Sequence, residues 1–350
     1  MKDRQWNGGG HGFWLSLLLS LAACSPSEPV PKMQGATLLQ TEAVALDDPV
    51  AAASFGQLAQ TGANTVALIP FLRQSSPAAE KLEYSPAVSD AQLLAAVAQA
   101  KQAGLRVVLK PQILLEGSWA GEIKPAQAAN WFASYRDKIL HYAQLAEAQQ
   151  LEMLVIGTEL RELDTRPEWA ALIAEIRQTY RGKLTYAAHG IEGATAFAHW
   201  DKLDVIGVTL YPALGDSVHR AAMRPAVTQT VQALRALQQR YHQPVLVTEV
   251  GIRSLSGAQR TPWDWSLPGC TAPADAKLQA DVLDLWLTAL SGQPWLAGVL
   301  VWNWSSDPYA GGRQDRDYTV QNKPAQSVLE CHWRGVCNPQ VQRLRQQEGG

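Results

Sequence analysis

The chain has 350 residues, with 30 Lys and Arg against 32 Asp and Glu and a formal net charge of −2. That near balance, without a block of like charge, argues against nucleic acid as a partner. Seven histidines are scattered, and the sequence contains no H-E-x-x-H, paired-Cys motif, G-x-S-x-G elbow or P-loop, so neither a metal nor another cofactor is expected.

In chain order, a basic start, "MKDR", precedes the apolar run "GFWLSLLLSLAAC". This is the pattern of an export signal, too short for a comfortable transmembrane helix. Its end, "LAAC" at 21–24, resembles the bacterial lipoprotein box. The resemblance implies removal of residues 1–23 and lipidation of Cys24, with membrane attachment in the cell envelope. Ser25 beside Cys24 points to the outer membrane rather than the inner one. An ordinary cleaved signal with an incidental cysteine is the alternative. Residues 24–34 then form a Pro- and Ser-rich tether, "SPSEPVPKMQ" after the cysteine, and 35–330 a single folded domain. Residues 331–350 remain as a C-terminal extension. In an oxidising compartment, Cys331 with Cys337 is the first choice of disulfide, and Cys270 with either is the alternative.

Eight short apolar, β-branched runs follow the tether. They are "GATLLQ", "TVALIPF", "LRVVLKP", "LEMLVIG", "KLTYAAH", "LDVIGVTLY", "PVLVTEV" and "AGVLVWNW". Between them lie segments of helical spacing, such as "DAQLLAAVAQAKQAG", which reads as starting on its Asp cap and ending at Gly104. Strands alternating with helices imply parallel pairing, and eight units predict a closed (β/α)8 TIM barrel in the α/β class. The rival, an open doubly wound sheet, would carry a Gly-rich phosphate turn after its first strand; none is present.

The fourth run continues into "LVIGTEL" and the seventh is "PVLVTEV", so Glu159 and Glu249 each close an apolar strand. Parallel barrel strands all end at one face, where active sites are built. A strand-end salt bridge would account for either glutamate alone. Together, on strands four and seven, they form the pair that glycoside hydrolysis needs: one carboxyl group to protonate the leaving oxygen and one to attack the anomeric carbon. Desolvation at the mouth of an apolar strand is expected to keep Glu159 protonated near neutral pH.

That pairing resembles the clan of retaining glycoside hydrolases on (β/α)8 barrels. Within it, "LKPQILLEGSWAGEI", "EMLVIGTELRELDTRPEWAALIAEIR", "GKLTYAAHG", "WDKLDVIGVTLYPAL", "VTEVGIRS", "GVLVWNW" and "NKPAQSVL" resemble glycoside hydrolase family 113, known chiefly for β-1,4-mannanase activity. The resemblance implies a cofactor-free retaining hydrolase of β-linked polysaccharide, with Glu159 as acid/base and Glu249 as nucleophile. Thr158 stands where clan members usually have Asn, so an amide contact to the sugar must come from elsewhere.

Tyr211, ending strand six, is expected to hold the nucleophile ionised. Lys110 and Gln112, closing strand three, Trp119 on the following loop, and His189 after strand five are expected sugar contacts. Family members often have His at Gln112, and Asn is expected at His189. Trp302 and Trp304 alternate on strand eight, so only one can face the cleft, and Trp302 is the expected sugar platform. Trp131 and Trp169 read as helix packing, and "TPWDW" at 261–265 as a wall of a distal subsite. Two other functions fit these residues: transfer or hydrolysis on another exported glycan, and a glycan-binding lipoprotein without turnover. A monomer is expected.

Overall fold

The first feature that positions a site is the alternation of barrel strand and helix. In a computed structural model, which describes residues 31–265 and 271–346 together with 1–3, 5 and 8, the elements run as follows. They are β1 (Met33–Leu39), α1 (Ala51–Gln60), β2 (Thr65–Leu68), α2 (Asp90–Gln102), β3 (Arg106–Leu109), α3 (Ala128–Ala148), β4 (Met153–Thr158), α4 (Glu168–Thr179) and β5 (Lys183–His189). Then come α5 (Gly190–Ala196), β6 (Ile206–Leu210), α6 (Arg220–Tyr241), β7 (Val245–Val250), α7 (Ala276–Ser291), β8 (Leu296–Ser305), α8 (Pro324–Arg334) and α9 (Pro339–Gln346). Each strand from β1 to β8 pairs in parallel with its neighbours in sequence, and β8 closes on β1. The eight-stranded (β/α)8 barrel expected from the sequence is the fold.

Side chains fill the barrel interior. Met33, Ala67, Val108, Met153, Val155, Ala187, Leu246 and Leu300 form one buried cluster drawn from seven of the strands, the packed centre typical of this architecture. The opposite strand faces meet the helices. On α4 the buried residues Trp169, Leu172, Ile173 and Ile176 recur at spacings of three and four, giving one apolar stripe against the barrel. Trp131 and Trp169 are fully buried on α3 and α4, as helix packing requires.

At the ends of two strands and at one helix cap the structure departs from the sequence reading. Strands two and three stop short, because Pro70 and Pro111 interrupt them. The chain resumes beyond each proline in a separate sheet of Phe71–Gln74, Glu83–Tyr84 and Gln112–Leu115. Lys110 and Gln112 therefore do not close β3 together: β3 ends at Leu109, and Gln112 opens an outer strand, its N–H donating to Pro70 O at 3.1 Å. Helix α2 is capped by Ser89 rather than Asp90. The Ser89 hydroxyl accepts the Gln92 N–H at 3.2 Å and the Gln92 side chain accepts the Ser89 N–H at 2.9 Å. Gly104, at φ +77°, ends that helix as expected.

At the ends of the domain, β1 begins at Met33, which is core, two residues before the domain start expected at 35. Helix α8 runs through the boundary expected at 330, and α9 packs after it. Cys331 and Cys337 are joined by a disulfide. Cys270, Cys24, residues 25–30 and most of 1–23 lie outside the described residues.

Candidate active site

Glu159 follows the last residue of β4 with φ at +53°, in the left-handed region that costs a non-glycine residue about 1–2 kcal/mol. Its N–H donates to Ala187 O on β5 at 2.8 Å. This turn leads the chain off the strand while holding the side chain over the barrel mouth. Three donors converge on the carboxylate. Trp119 Nε1 donates to Oε2 at 2.8 Å, Thr209 Oγ1 donates to Oε1 at 2.5 Å, and His189 Nδ1 lies 3.3 Å from Oε1. The rings of Trp119 and His189 are 4.5 Å apart, and the Arg161 guanidinium lies 5.5 Å from the Trp119 ring.

Glu249 lies within β7 and is buried. Lys110 Nζ and Gln112 Nε2 both donate to Oε1, the latter at 3.0 Å, and the Tyr211 hydroxyl donates to Oε2 at 2.7 Å. The Lys110 ammonium is wholly buried between this carboxylate and the face of Trp302, 5.4 Å from its centroid. One strand serves both acids. Thr209 near the end of β6 reaches Glu159, and Tyr211, two residues on and on the same face, reaches Glu249. Thr209 and Glu249 are also register partners across β6 and β7, which places their backbones one strand spacing apart, about 4.8 Å.

Trp302 supplies the floor. Its ring packs with Ile69, Tyr318 and Tyr211, its edge meets Trp265 at 5.7 Å, and its buried indole N–H has no protein partner among the described residues. Trp304 turns the other way and donates to Ser54 Oγ on α1 at 2.8 Å, so the alternation on β8 resolves as read. In "TPWDW", Trp265 is 61% exposed and stands against Trp302 and Tyr318. The loop is held by Tyr318, whose hydroxyl donates to Pro262 O at 2.6 Å.

The electrostatics overturn one expectation. Burial does push the Glu159 carboxyl upward, but the hydrogen bond and positive charge of His189, with the bonds from Thr209 and Trp119, outweigh it and hold Glu159 below its ordinary range. His189 moves the opposite way: burial lowers it, and Glu159 more than compensates and raises it. Both shifts favour an ionised Glu159 beside a protonated His189, the reverse of the protonated Glu159 expected from the apolar strand. Burial raises Glu249 above its usual range, opposed by the Lys110 charge, reinforced by Glu159 across the cleft, and opposed again by the hydrogen bonds from Lys110 and Tyr211. The site thus combines a carboxylate next to a protonatable imidazole with a second carboxylate held by an ammonium, an amide and a phenol.

The six expected side chains other than the two glutamates gather around them: Lys110, Gln112, Trp119, His189, Tyr211 and Trp302. Thr209 was missed, although the period of two from Tyr211 in "VTLYP" would have found it. Asp164, Tyr186 and Tyr318 were missed as well, because their contacts join segments far apart in sequence. Among the described residues no group of three His, Cys, Asp or Glu is placed to hold a metal ion.

Comparisons with known proteins agree with this fold. A β-1,4-mannanase of glycoside hydrolase family 113, solved as a complex, superposes with a TM-score of 0.77 at 25% identity, covering 87% of this chain and 99% of that one. The family 113 β-mannanase AaManA from Alicyclobacillus acidocaldarius, in complex with ManMIm, gives 0.76 at 26% identity, covering 87% and 97%. A family 5 protein from Streptomyces cattleya, bound to Manβ1-4GlcNAc, shares the fold at 15% identity and a TM-score of 0.58. No curated protein matches the chain. The model of Glycoside Hydrolase Family 113 matches residues 39–323, and with most of its length covered the chain belongs to that family.

Proposed function

We propose that this glycoside hydrolase cleaves a β-1,4-linked mannan chain with retention, by double displacement on Glu249 assisted by Glu159. The observation that carries the reading is the contrast between the two acids. Glu249 takes three donors, one of them a cation, which oppose the effect of burial and favour the anionic form a nucleophile needs, while Glu159 has an imidazole nitrogen 3.3 Å away that can hold and return a proton. The mannanase relatives direct the choice of glycan.

A sugar stacked on Trp302 displaces water from the cleft. Removing water disfavours the Glu159–His189 ion pair relative to its neutral form, so the proton passes from His189 to Glu159. Glu159 gives that proton to the glycosidic oxygen as a Glu249 oxygen bonds to the anomeric carbon and the leaving sugar departs. In the second half, Glu159 takes a proton from water, the water oxygen bonds to the same carbon, and the ester to Glu249 breaks. Two inversions at one carbon leave its configuration unchanged. Lys110 and Tyr211 stabilise the carboxylate released at the end. Hydrolysis of a panel of β-linked polysaccharides by residues 32–350, beside Glu159→Ala and Glu249→Ala, tests the reading. Release of manno-oligosaccharides by the unsubstituted protein alone supports it. Activity on a different glycan, lost in both variants, would keep the mechanism and discard mannan.

We further propose, from the "LAAC" box, that Cys24 carries a lipid which tethers a monomeric barrel to the bacterial envelope, at the outer membrane. Cys24→Ala should move the protein from the membrane fraction to the soluble one and abolish incorporation of labelled palmitate. Retention of label by the variant would refute the anchor.

A further inference from the structure

The residue after Glu159 is held as firmly as Glu159 itself, and by a side chain that plays no part in the reaction just described. The Leu160 N–H donates to the Tyr186 hydroxyl at 2.8 Å, and that hydroxyl donates to Asp164 Oδ1 at 2.6 Å. The short turn from Leu160 to Asp164 thus closes around a single phenol, gripping it from both ends. The phenol comes from β5, the strand whose next residue, Ala187, accepts the Glu159 N–H. Both peptide N–H groups flanking the Glu159 side chain are therefore fixed to adjacent residues of one strand.

Tyr186 has little freedom to yield. Its ring stacks on Phe197 with centroids 4.4 Å apart and planes 10° from parallel, and lies 5.4 Å from the Trp169 ring. It also crosses β4 directly over Gly157, where a Cβ would come within 2.9 Å of the Tyr186 ring. Glycine at 157, two residues before Glu159, is what lets the ring reach the turn. Asp164 is 1% exposed and its Oδ2 is buried without a partner. An unpaired buried carboxyl oxygen is costly, and fold stability alone gives no reason to keep it there. A left-handed glutamate reverts to an ordinary backbone conformation unless its surroundings over-determine it.

We infer that Tyr186 and Asp164 are positioning residues for the acid/base: they lock the turn that aims Glu159 at the glycosidic oxygen. The inference rests on the hydrolase reading above for its kinetic consequence, but its geometric content stands apart. Neither residue is accessible at the cleft, Tyr186 being 0% and Asp164 1% exposed. Both act through the Leu160 peptide, so their loss should damage proton transfer selectively.

The test is Tyr186→Phe, which keeps the ring and removes only the hydroxyl, with Asp164→Asn as the conservative partner that retains the accepting oxygen. For an unactivated manno-oligosaccharide, kcat/KM of Tyr186→Phe should fall about 10²-fold, the scale of a misaimed general acid. For a dinitrophenyl β-mannoside, whose leaving group departs without a proton, kcat/KM should stay unchanged. With that aryl substrate kcat should drop, because the returning water still needs a base, and azide should restore it while yielding the glycosyl azide. Asp164→Asn should show the same pattern with a smaller loss. Equal losses on both substrates, or no loss in a Tyr186→Phe protein that melts like the original, would overturn the inference. A crystal structure of Tyr186→Phe decides the geometry without any substrate: the carboxyl should leave Trp119 and Thr209, and an unmoved Glu159 would refute positioning. If the unsubstituted protein turns over neither glycoside, the hydrolase reading fails separately, and the crystal structure still judges this inference.

Discussion

Replacing Asp164 by Asn should flatten a slope in the pH dependence of stability. An unfolded Asp ionises near 3.8; in the folded protein burial, opposed by the Tyr186 hydrogen bond and by the charges of His189 and Arg161, pushes Asp164 up to about 7. The folded state therefore binds this proton more tightly than the unfolded chain does. The stability so gained is complete below pH 3.8 and is lost as the pH rises through about 7. At about 1.4 kcal/mol per pH unit the full effect is about 4 kcal/mol, of which about 2.5 kcal/mol falls between pH 5 and pH 8. Asn has the same shape and cannot titrate. Urea unfolding of both proteins at those two pH values measures the difference directly: the stability of Asp164→Asn relative to the original should rise by about 2.5 kcal/mol from acid to alkaline conditions. A change below about 0.5 kcal/mol would mean that the carboxyl is solvated or carries an unseen partner, and the reasoning would fail.

Two further outcomes follow from charges placed elsewhere. Asp284 is fully buried on α7 and accepts from Arg220 at 2.7 Å, His332 at 2.8 Å and Arg345 at 2.7 Å, which together tie α6, α8 and α9 to it. Asp284→Ala removes one acidic partner of the buried Arg220, leaving it Asp281, and should cost about 3 kcal/mol in a denaturant melt. Burial opposes ionisation of Asp284, but these donors hold it well below the ordinary range, so its contribution is present above the unfolded value and lost as pH falls. A cost below about 1 kcal/mol would show that the cluster is weakly coupled to folding. At the active site, His189→Gln removes the positive neighbour of Glu159, so the Glu159 carboxyl should titrate at higher pH in a ¹³C NMR experiment. An unchanged midpoint would remove His189 from the proton account.

The barrel was legible because parallel strands, buried on both faces, read as continuous apolar runs, and eight such runs separated by helical spacing leave few topologies. The two glutamates were legible for the same reason, since a carboxylate ending such a run stands out. Contacts made along one strand could also be read: Trp302 falls where its alternation with Trp304 puts it. The small sheet around Phe71–Gln74 and Gln112–Leu115 could not, because a proline can end a strand without saying where the chain goes next. Nor could the protonation of Glu159. Desolvation is visible in the apolar run before it, but the donors that reverse its effect come from residues 40, 30 and 50 positions away in sequence. The grip of Leu160 and Asp164 on Tyr186 spans 26 and 22 residues, and carries no periodic signature at all.

In the double displacement proposed above, Glu249 is the nucleophile and Glu159 the acid/base, and the sugar keeps its anomeric configuration. The measurement that tests it most directly is ¹H NMR of the first reducing ends released from a β-1,4-manno-oligosaccharide, recorded before mutarotation. The β-anomer should appear first and relax slowly toward equilibrium. Initial release of the α-anomer would require a single displacement by water and would contradict the account.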